Sequence, residues 1–176
     1  MRLAREEQRI IAFDEPIALY PMRDLHAVED GEWMGIYPAR DERIPLGDVG
    51  VHGRGSDLAI VSYANGAYLS RQAQKQLAER GIDASVIDLR WLAPLPAEAL
   101  LAATKDCKRV LVVDECRRTG GQSEALMAFF VEESRATVSR IAAADSFIAT
   151  GPAYAATLPS VSDIVAAASE ACRKAS

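Results

Sequence analysis

Four short apolar runs, separated by stretches with helical periodicity, constrain the fold of this chain more than any other feature. The runs, of which RVLVVD is typical, cover residues 57–63, 84–89, 109–114 and 138–142. Short runs of this kind are typical of strands buried on both faces of a sheet. Helical spacing of apolar residues predicts helices over residues 67–80, 97–105, 122–134 and 161–173. Because helical crossovers link parallel strands, the pattern predicts a mainly parallel sheet with helices on both faces.

A further strand is predicted at residues 48–52, too close to residues 57–63 for a helical crossover. The turn formed by residues 52–55 (HGRG) would make it an antiparallel neighbour of the next strand, at an edge of the sheet. The predicted fold is therefore α/β, a three-layer α/β/α sandwich with about five strands, mostly parallel, and one antiparallel edge strand. Ser160 or Ser162 is expected to cap the last helix.

The first 45 residues lack this order. Residues 2–8 have the pattern of a helix end and residues 10–13 that of a strand, but residues 16–45 show little periodicity. So long an irregular stretch is uncommon inside a compact domain, and it predicts a linker or a surface that a partner covers. We expect residues 1–45 to be a remnant of a preceding domain and residues 46–176 to be one α/β domain. The apolar groups expected to be exposed on the remnant are Tyr20, Trp33, Ile36 and Tyr37.

Composition excludes several classes of protein. The net charge of −5, with Arg117 and Arg118 as the nearest approach to a basic cluster, argues against nucleic-acid binding. No apolar run approaches the ~20 residues that span a bilayer, and the N-terminus lacks the apolar region of a secretory signal. The odd, widely spaced cysteines fit a reducing compartment, so a cytoplasmic protein without membrane contact is predicted. They are Cys107, Cys116 and Cys172.

Catalytic patterns are missing from the sequence. It has no GxxxxGK[ST] or GxGxxG phosphate loop and no GxSxG nucleophile motif. His26 and His52 lie far apart, without a carboxylate or second histidine at ligand spacing. We therefore predict no catalytic, cofactor-binding or metal-binding residue in this chain.

The most informative candidate site is the turn after the third apolar run, residues 115–124 (ECRRTGGQSE). Gly120 and Gly121 precede a helix, so their N–H groups, with Arg117 and Arg118, would suit an anion. Alternatively, the glycines only permit a tight turn, and Glu124 lies favourably in the first helical turn. The turn follows the carboxyl end of a strand, where ligands of open α/β sheets collect.

Asp114 and Glu115, an acidic pair at a strand end, could serve as a general base or a metal site. Asp114 and Glu115 are instead expected to pair with Arg117 or Arg118. Asp88 is likewise expected to form a local ion pair or turn contact with Arg90.

Three ordered motifs resemble a known family. They are VIDLRWLAPLP (residues 86–96), VVDECRRTGG (112–121) and LPSVSDI (158–164). Together they resemble the C-terminal domain of transketolase-like enzymes, above all the β half of 2-oxo acid dehydrogenase decarboxylating components. IPLG (44–47) and AFDEP (12–16) extend the likeness upstream, the latter resembling the end of a pyrimidine-binding domain. Residues 16–37 and 147–152 look more like forms in which the α and β halves are fused.

The resemblance implies an enzyme whose catalytic parts lie elsewhere. In the family, thiamine diphosphate and Mg²⁺ are held between a diphosphate-binding and a pyrimidine-binding domain. The parent enzyme would decarboxylate a 2-oxo acid oxidatively and pass the acyl group to lipoyl. This chain alone is then expected to bind no cofactor and to be inactive.

The resemblance also implies partners. The domain would contact the remaining domains or an α subunit, contribute to a dimer interface and help to dock an acyltransferase core. In β subunits an acidic residue used for that docking falls near Arg135, where the charge here is reversed. The predicted contact residues, with no catalytic role, are Glu115, Arg117, Arg118, Gly120, Gly121 and Glu124.

Other interpretations of the sequence remain open at this point. The chain could be a free-standing, non-catalytic binding or regulatory module with the same fold, or a transketolase-type transferase domain. A third interpretation is a flavodoxin-like small-ligand binder that uses Gly120 and Gly121 as an anion site.

Overall fold

The apolar runs form one five-stranded sheet in the computed structural model, which describes residues 2–149 and 151–173. The strands are β1 (Val49–His52), β2 (Leu58–Ser62), β3 (Ala84–Leu89), β4 (Arg109–Arg117) and β5 (Thr137–Ala143). Their order is β1-β3-β2-β4-β5. Neighbouring strands from β3 to β5 pair in parallel, whereas β1 is antiparallel to β3. The predicted mostly parallel sheet with one antiparallel edge strand is confirmed.

Helices cover this sheet on both faces. They are α2 (Ala64–Glu79), α3 (Ala97–Thr104), α4 (Gln122–Glu133) and α5 (Val161–Arg173). The short helix α1 (Arg2–Glu6) and the 3₁₀ helices at Ile17–Leu19 and Gly151–Ala156 contribute no described residue to the buried core. Successive strand residues point to opposite faces, so each strand supplies two cores. In β2, for example, Leu58 and Ile60 pack with α2 and α5, whereas Ala59 and Val61 pack with α3 and α4. This arrangement is the predicted three-layer sandwich.

The partner of the edge strand differs from the prediction. β1 pairs with β3, with Val49 opposite Leu89, and does not lie beside β2. Both edges of β2 are already occupied, by β3 and β4. The connection from β1 to β2 passes close to the start of β3. A Cβ at Gly55 would lie only 2.5 Å from the backbone nitrogen of Ala84. Only glycine allows that approach.

Two element boundaries differ because the strand ends carry tertiary contacts. α2 begins at Ala64, three positions before the predicted start, although Ala64 itself has a φ of 50°. β4 continues to Arg117, beyond the predicted end at Asp114, with a register shift between these two residues. The predicted cap of α5 is confirmed: the Asp163 N–H donates to Ser160 Oγ at 3.2 Å, and the Ser160 N–H donates to the Asp163 carboxylate at 2.9 Å.

The predicted strand at residues 10–13 is wrong. Ile10 and Phe13 are exposed and pair with no strand of the described chain. Strand propensity stabilises a strand only where a neighbour accepts its hydrogen bonds and side chains. Among the described residues, no helix is long and apolar enough to cross a membrane.

Part of the irregular N-terminal stretch is folded onto α2. In residues 23–33, named here the Trp33 loop, the Asp30 carboxylate accepts four backbone N–H groups, which belong to Leu25, His26, Ala27 and Glu32. The Trp33 ring meets the Tyr68 ring edge-on at 4.8 Å, and the Tyr68 hydroxyl donates to the carbonyl of Asp24 at 2.8 Å. The loop therefore has a defined conformation without periodic apolar residues.

Candidate functional site at the turn between β4 and α4

The carboxyl ends of β2 and β4 lie where the strand order reverses. From β2 the chain moves to β3 on one side and then returns to β4 on the other. Ligands of open α/β sheets bind outside the strand ends at such a switch point. The side chains that meet here are those of Tyr63, just after β2, and Asp114, near the end of β4.

Asp114 organises this end of the sheet. Its side chain is fully buried, and Oδ1 accepts the Tyr63 hydroxyl at 2.6 Å and the Cys116 N–H at 2.8 Å. Oδ2 accepts the N–H of Ser123, in the first turn of α4, at 2.8 Å. Burial, together with the hydrogen bond to Asp114, raises the pKa of Tyr63 above its ordinary value. Tyr63 is therefore a neutral donor to a buried carboxylate, and the contact joins the ends of the two strands.

The start of α4 thus already has an anion, which the chain itself supplies. Helix N-termini attract negative charge through their free N–H groups and dipole, and the Asp114 carboxylate takes that position. A Cβ at Gly121 would lie 2.6 Å from the carbonyl oxygen of Arg117 and 3.0 Å from Asp114 Oδ2. Gly120 has a φ of 71°, in the left-handed region that favours glycine. Both glycines are thus explained by the tight turn.

Glu115, the next residue, points to a different neighbour. Burial raises its pKa, hydrogen bonds from the backbone and side chain of Asn65 act in the opposite direction, and the charge of Asp114 raises it further. The expected pairing of Asp114 or Glu115 with Arg117 or Arg118 is not formed, because no salt bridge joins them within the described residues. The donors to the two carboxylates are a phenol, an amide side chain and backbone N–H groups.

The outer part of the turn is exposed and held in place from one side. Thr119 donates its N–H and its hydroxyl to the carboxylate of Asp145, at 2.8 and 2.6 Å, and these hydrogen bonds lower the pKa of Asp145. Arg140 donates to the carbonyl of Arg118 at 3.2 Å, and Arg117 Nε to that of Thr119 at 2.9 Å. The turn therefore presents charged groups to solvent in a fixed conformation.

The predicted contact residues are brought together, since all belong to this one turn. Arg117, Arg118, Gly120 and Glu124 are exposed, whereas Glu115 and Gly121 are partly buried. Sequence reasoning missed the residues that shape the turn from elsewhere, because they are distant along the chain. They are Tyr63, Asn65, Arg140 and Asp145. The position of Tyr63, directly after a buried strand, was the one sequence feature that indicated a residue at this end of the sheet.

The other candidate pair, Asp88 and Arg90, has a structural explanation. Arg90 pairs with Asp48 at 3.5 Å, so the expected local ion pair with Asp88 is replaced. Burial raises the pKa of Asp88, while the charges of Arg90 and Arg71 lower it. Over residues 2–149 and 151–173 no group of three or more His, Cys, Asp or Glu side chains is placed to hold a metal ion.

Comparisons with known proteins agree with this fold. Residues 47–164 match the family described as "Transketolase, C-terminal domain". The chain is 30% identical over 137 residues to the pyruvate dehydrogenase E1 component subunit beta of Staphylococcus aureus, which covers 76% of this chain and 42% of that subunit. It is 29% identical over 143 residues to 1-deoxy-D-xylulose-5-phosphate synthase of Halothermothrix orenii, covering 79% of this chain and 21% of the synthase.

A solved structure extends the likeness to three dimensions. The inactive beta4 tetramer of a split gene transketolase superposes with a TM-score of 0.67 at 26% identity, covering 77% of this chain and 44% of that one. This chain thus spans less than half the length of the relatives it matches. The family match covers well over half of this chain and includes the β4–α4 turn. The chain belongs to the transketolase C-terminal domain family.

Proposed function

We propose that this chain is the C-terminal assembly domain of a thiamine-diphosphate-dependent 2-oxo acid dehydrogenase and is inactive alone. The family match, joined to the similarity with a pyruvate dehydrogenase E1 subunit beta, carries this proposal. The parent enzyme would decarboxylate a 2-oxo acid oxidatively and transfer the acyl group to lipoyl. The other domains would come from the same polypeptide or from an α subunit.

The cofactor would be bound outside this chain. When bound, thiamine diphosphate supplies the carbanion chemistry of decarboxylation. The residues present here do not fit it: the Tyr63–Asp114 contact joins the strand ends at the switch point, and the N-terminus of α4 is occupied by the Asp114 carboxylate. No acidic cluster in the described part of the chain is placed for Mg²⁺. We therefore assign no chemical step to this domain.

The role we assign to the β4–α4 turn is contact with another domain or subunit. Its exposed members are charged, and their backbone is fixed by Asp145, Arg140 and Asp114. A preorganised surface loses little conformational entropy on binding. Arg117, Arg118 and Glu124 would provide the charged contacts, and Gly120 and Gly121 would allow close backbone approach.

Calorimetry tests the assignment of the cofactor to other domains. Thiamine diphosphate with Mg²⁺ is titrated into this chain alone and into the chain co-expressed with the diphosphate-binding and pyrimidine-binding domains of the same enzyme. We expect binding, and lipoyl acylation from a 2-oxo acid, only for the assembly. A dissociation constant below about 100 μM for the chain alone would contradict the proposal.

Charge reversal tests the contact surface. Arg118→Glu should weaken association with the co-expressed domains by about tenfold or more, because it places like charges in the contact. Lys108→Glu makes the same charge change at the opposite end of β4 and should have no such effect. Sedimentation velocity measures association, and circular dichroism verifies the fold of both variants. Equal effects of the two substitutions would remove the turn from the interface.

A second candidate function is a transketolase-type transferase domain. The match to a split gene transketolase, over 77% of this chain, favours it specifically. The assembled enzyme decides between the two: turnover of 2-oxo acids with lipoyl acceptors supports the dehydrogenase, whereas ketol transfer between sugar phosphates supports the transferase. If the assembly catalyses neither acyl transfer nor ketol transfer, and the gene has a stop codon upstream of this chain, a free-standing binding module would be favoured.

The proposal has three further parts. The division into a remnant, residues 1–45, and a domain, residues 46–176, is one. Docking to an acyltransferase core and homodimerisation are the second. A cytoplasmic location is the third, and the three cysteines, all free thiols, agree with a reducing compartment.

A further inference from the structure

A cavity of about 280 Å³ opens at the amino end of β3, at the opposite end of the strands from the β4–α4 turn. The Trp33 loop, the β1–β2 connection and α2 each contribute to its wall. We call it the basic pocket, because Arg54, Arg71 and Lys75 line it, together with His26. Asp83 is the one carboxylate among its described lining residues.

The pocket gathers positive charge in a chain whose net charge is −5. Arg54 comes from the β1–β2 connection, while Arg71 and Lys75 lie one turn apart on α2. In the part of the chain that the structure describes, none of these three cations has a carboxylate within 4.0 Å. Three basic side chains therefore face the one carboxylate among the described lining residues, and Glu32 lies 3.6 Å from His26 in the wall.

Arg71 is held in position by the Trp33 loop. Its guanidinium carbon lies 5.6 Å from the centre of the Trp33 ring, in a cation–π contact. The charge of Arg71 also affects His52, which lies in β1. Burial lowers the pKa of His52, and the charges of Arg71 and Arg90 lower it further. Arg71 is therefore a positioned cation, while Arg54 and Lys75 are exposed side chains at the same pocket.

The floor of the basic pocket is also fixed. Gln74 Nε2 donates to the carbonyl of His52 at 3.0 Å and to that of Ala84 at 2.7 Å. Gly53 lies against it with a φ of 83°, and a Cβ there would come within 2.4 Å of Gln74 Nε2. The neutral floor is held by these hydrogen bonds, and the exposed cations of Arg54 and Lys75 lie around it.

We propose that the basic pocket binds a small anion that carries a phosphate group. Arginine forks bind phosphate oxygens in pairs, and lysine adds a point charge. The volume of about 280 Å³ lies just below the ~300–1,000 Å³ typical of ligand pockets, which suits a phosphate monoester or pyrophosphate. This inference does not depend on the assignment to a 2-oxo acid dehydrogenase.

Titration of the full chain tests the proposal. Inorganic phosphate and inorganic pyrophosphate are titrated separately by calorimetry at constant ionic strength, since salt screens exposed charges. We expect saturable binding of one equivalent, with a dissociation constant for pyrophosphate below about 1 mM. Absence of saturable binding for both anions would overturn the proposal.

Matched variants locate the site. Arg54→Gln and Lys75→Gln remove exposed charges and should each weaken pyrophosphate binding by about tenfold, the loss of one charged hydrogen bond. Arg71→Lys keeps the charge but loses the fork, so a smaller weakening is expected. Lys108→Gln loses the same charge outside the pocket and should bind like the unaltered chain. Equal weakening by Lys108→Gln and Lys75→Gln would show diffuse attraction and overturn the assignment. Unchanged melting temperatures verify that the folds are intact.

Discussion

Asp114 is a charged side chain placed entirely inside the protein. Burying an isolated carboxylate is unfavourable unless hydrogen bonds replace its water. Here the donors come from three parts of the chain: the end of β2, the bulged end of β4 and the first turn of α4. A single residue therefore connects the central strands to the helix that follows them and fixes the start of the candidate contact surface.

Replacing Asp114 with asparagine should reveal this role. An amide has one oxygen acceptor, so its NH₂ group would face a donor that the carboxylate now satisfies. We expect Asp114→Asn to lower the free energy of unfolding by about 2 kcal/mol or more. Urea denaturation at pH 7, followed by circular dichroism, measures the change. Asp41→Asn, at an exposed position, is the control and should stay close to the unaltered chain; equal losses would contradict the role of Asp114.

The raised pKa of Glu115 predicts how the stability of the folded chain depends on pH. Its pKa is raised in the folded protein, chiefly by burial, from an ordinary value of 4.5. The folded chain then binds the proton more tightly than the unfolded chain, so its stability falls as the pH rises through the interval above 4.5. Glu115→Gln removes this loss and keeps an acceptor for Asn65. The difference in unfolding free energy between variant and unaltered chain should therefore move in favour of the variant as the pH rises above 4.5, because only the unaltered chain loses stability there.

Urea denaturation across this range of pH provides the measurement. Glu124→Gln, at an exposed site on the same turn, is the matched control, for which no comparable trend is expected. A difference for Glu115→Gln that stays constant with pH would show that the carboxyl titrates alike in the folded and unfolded chains.

At the scale of elements, the Trp33 loop depends on polar contacts to its backbone. Burial would raise the pKa of Asp30, but its four backbone N–H bonds outweigh that effect and hold the pKa well below its ordinary value. Asp30→Ala removes the carboxylate that accepts all four N–H groups and changes no residue of β1 to β5. We expect Trp33 to leave Tyr68 and Arg71, which should shift its fluorescence emission to longer wavelength.

The measurement is made in a Trp91→Phe background, since the chain has two tryptophans. Asp41→Ala serves as the control for loss of a carboxylate outside the loop. The far-ultraviolet circular dichroism of the sheet should not change. An unshifted spectrum after Asp30→Ala would mean that Trp33 packing alone holds the loop.

The elements that sequence predicted well are those whose pattern is local and apolar. β2 to β5 and the helices between them were predictable because burial on the two faces of the sheet gives each segment a characteristic pattern of apolar residues. The pairing of β1 with β3 has no such pattern in the sequence, because the neighbour of an edge strand depends on the arrangement of the whole sheet. The same reason explains the error at residues 10–13, and the missed donors Tyr63 and Asn65. The Trp33 loop was unpredicted because aspartates, and not apolar spacing, determine it.

At the scale of the molecule, the buried apolar residues are distributed unequally along the chain. Both apolar clusters begin with β1 and β2, and among the described residues neither includes one before Val49. Leu25, which is 2% exposed, is the one buried apolar residue of the earlier segment among those described. The family match likewise begins at residue 47. These observations favour a domain that folds without the segment ahead of it.

A chain that begins at Leu46 tests this division. It keeps every residue of both core clusters and loses Leu25 and the contact of Asp24 with Tyr68. We expect it to unfold cooperatively, with a free energy lower by roughly 2–3 kcal/mol, about the value of one buried leucine. Leu25→Ala in the full chain is the matched comparison: a similar loss would assign the difference to this side chain, because large-to-small changes in a core cost about 2–5 kcal/mol. A shortened chain without a cooperative transition would show that residues 1–45 belong to the folding unit, and the boundary at residue 45 would then be wrong.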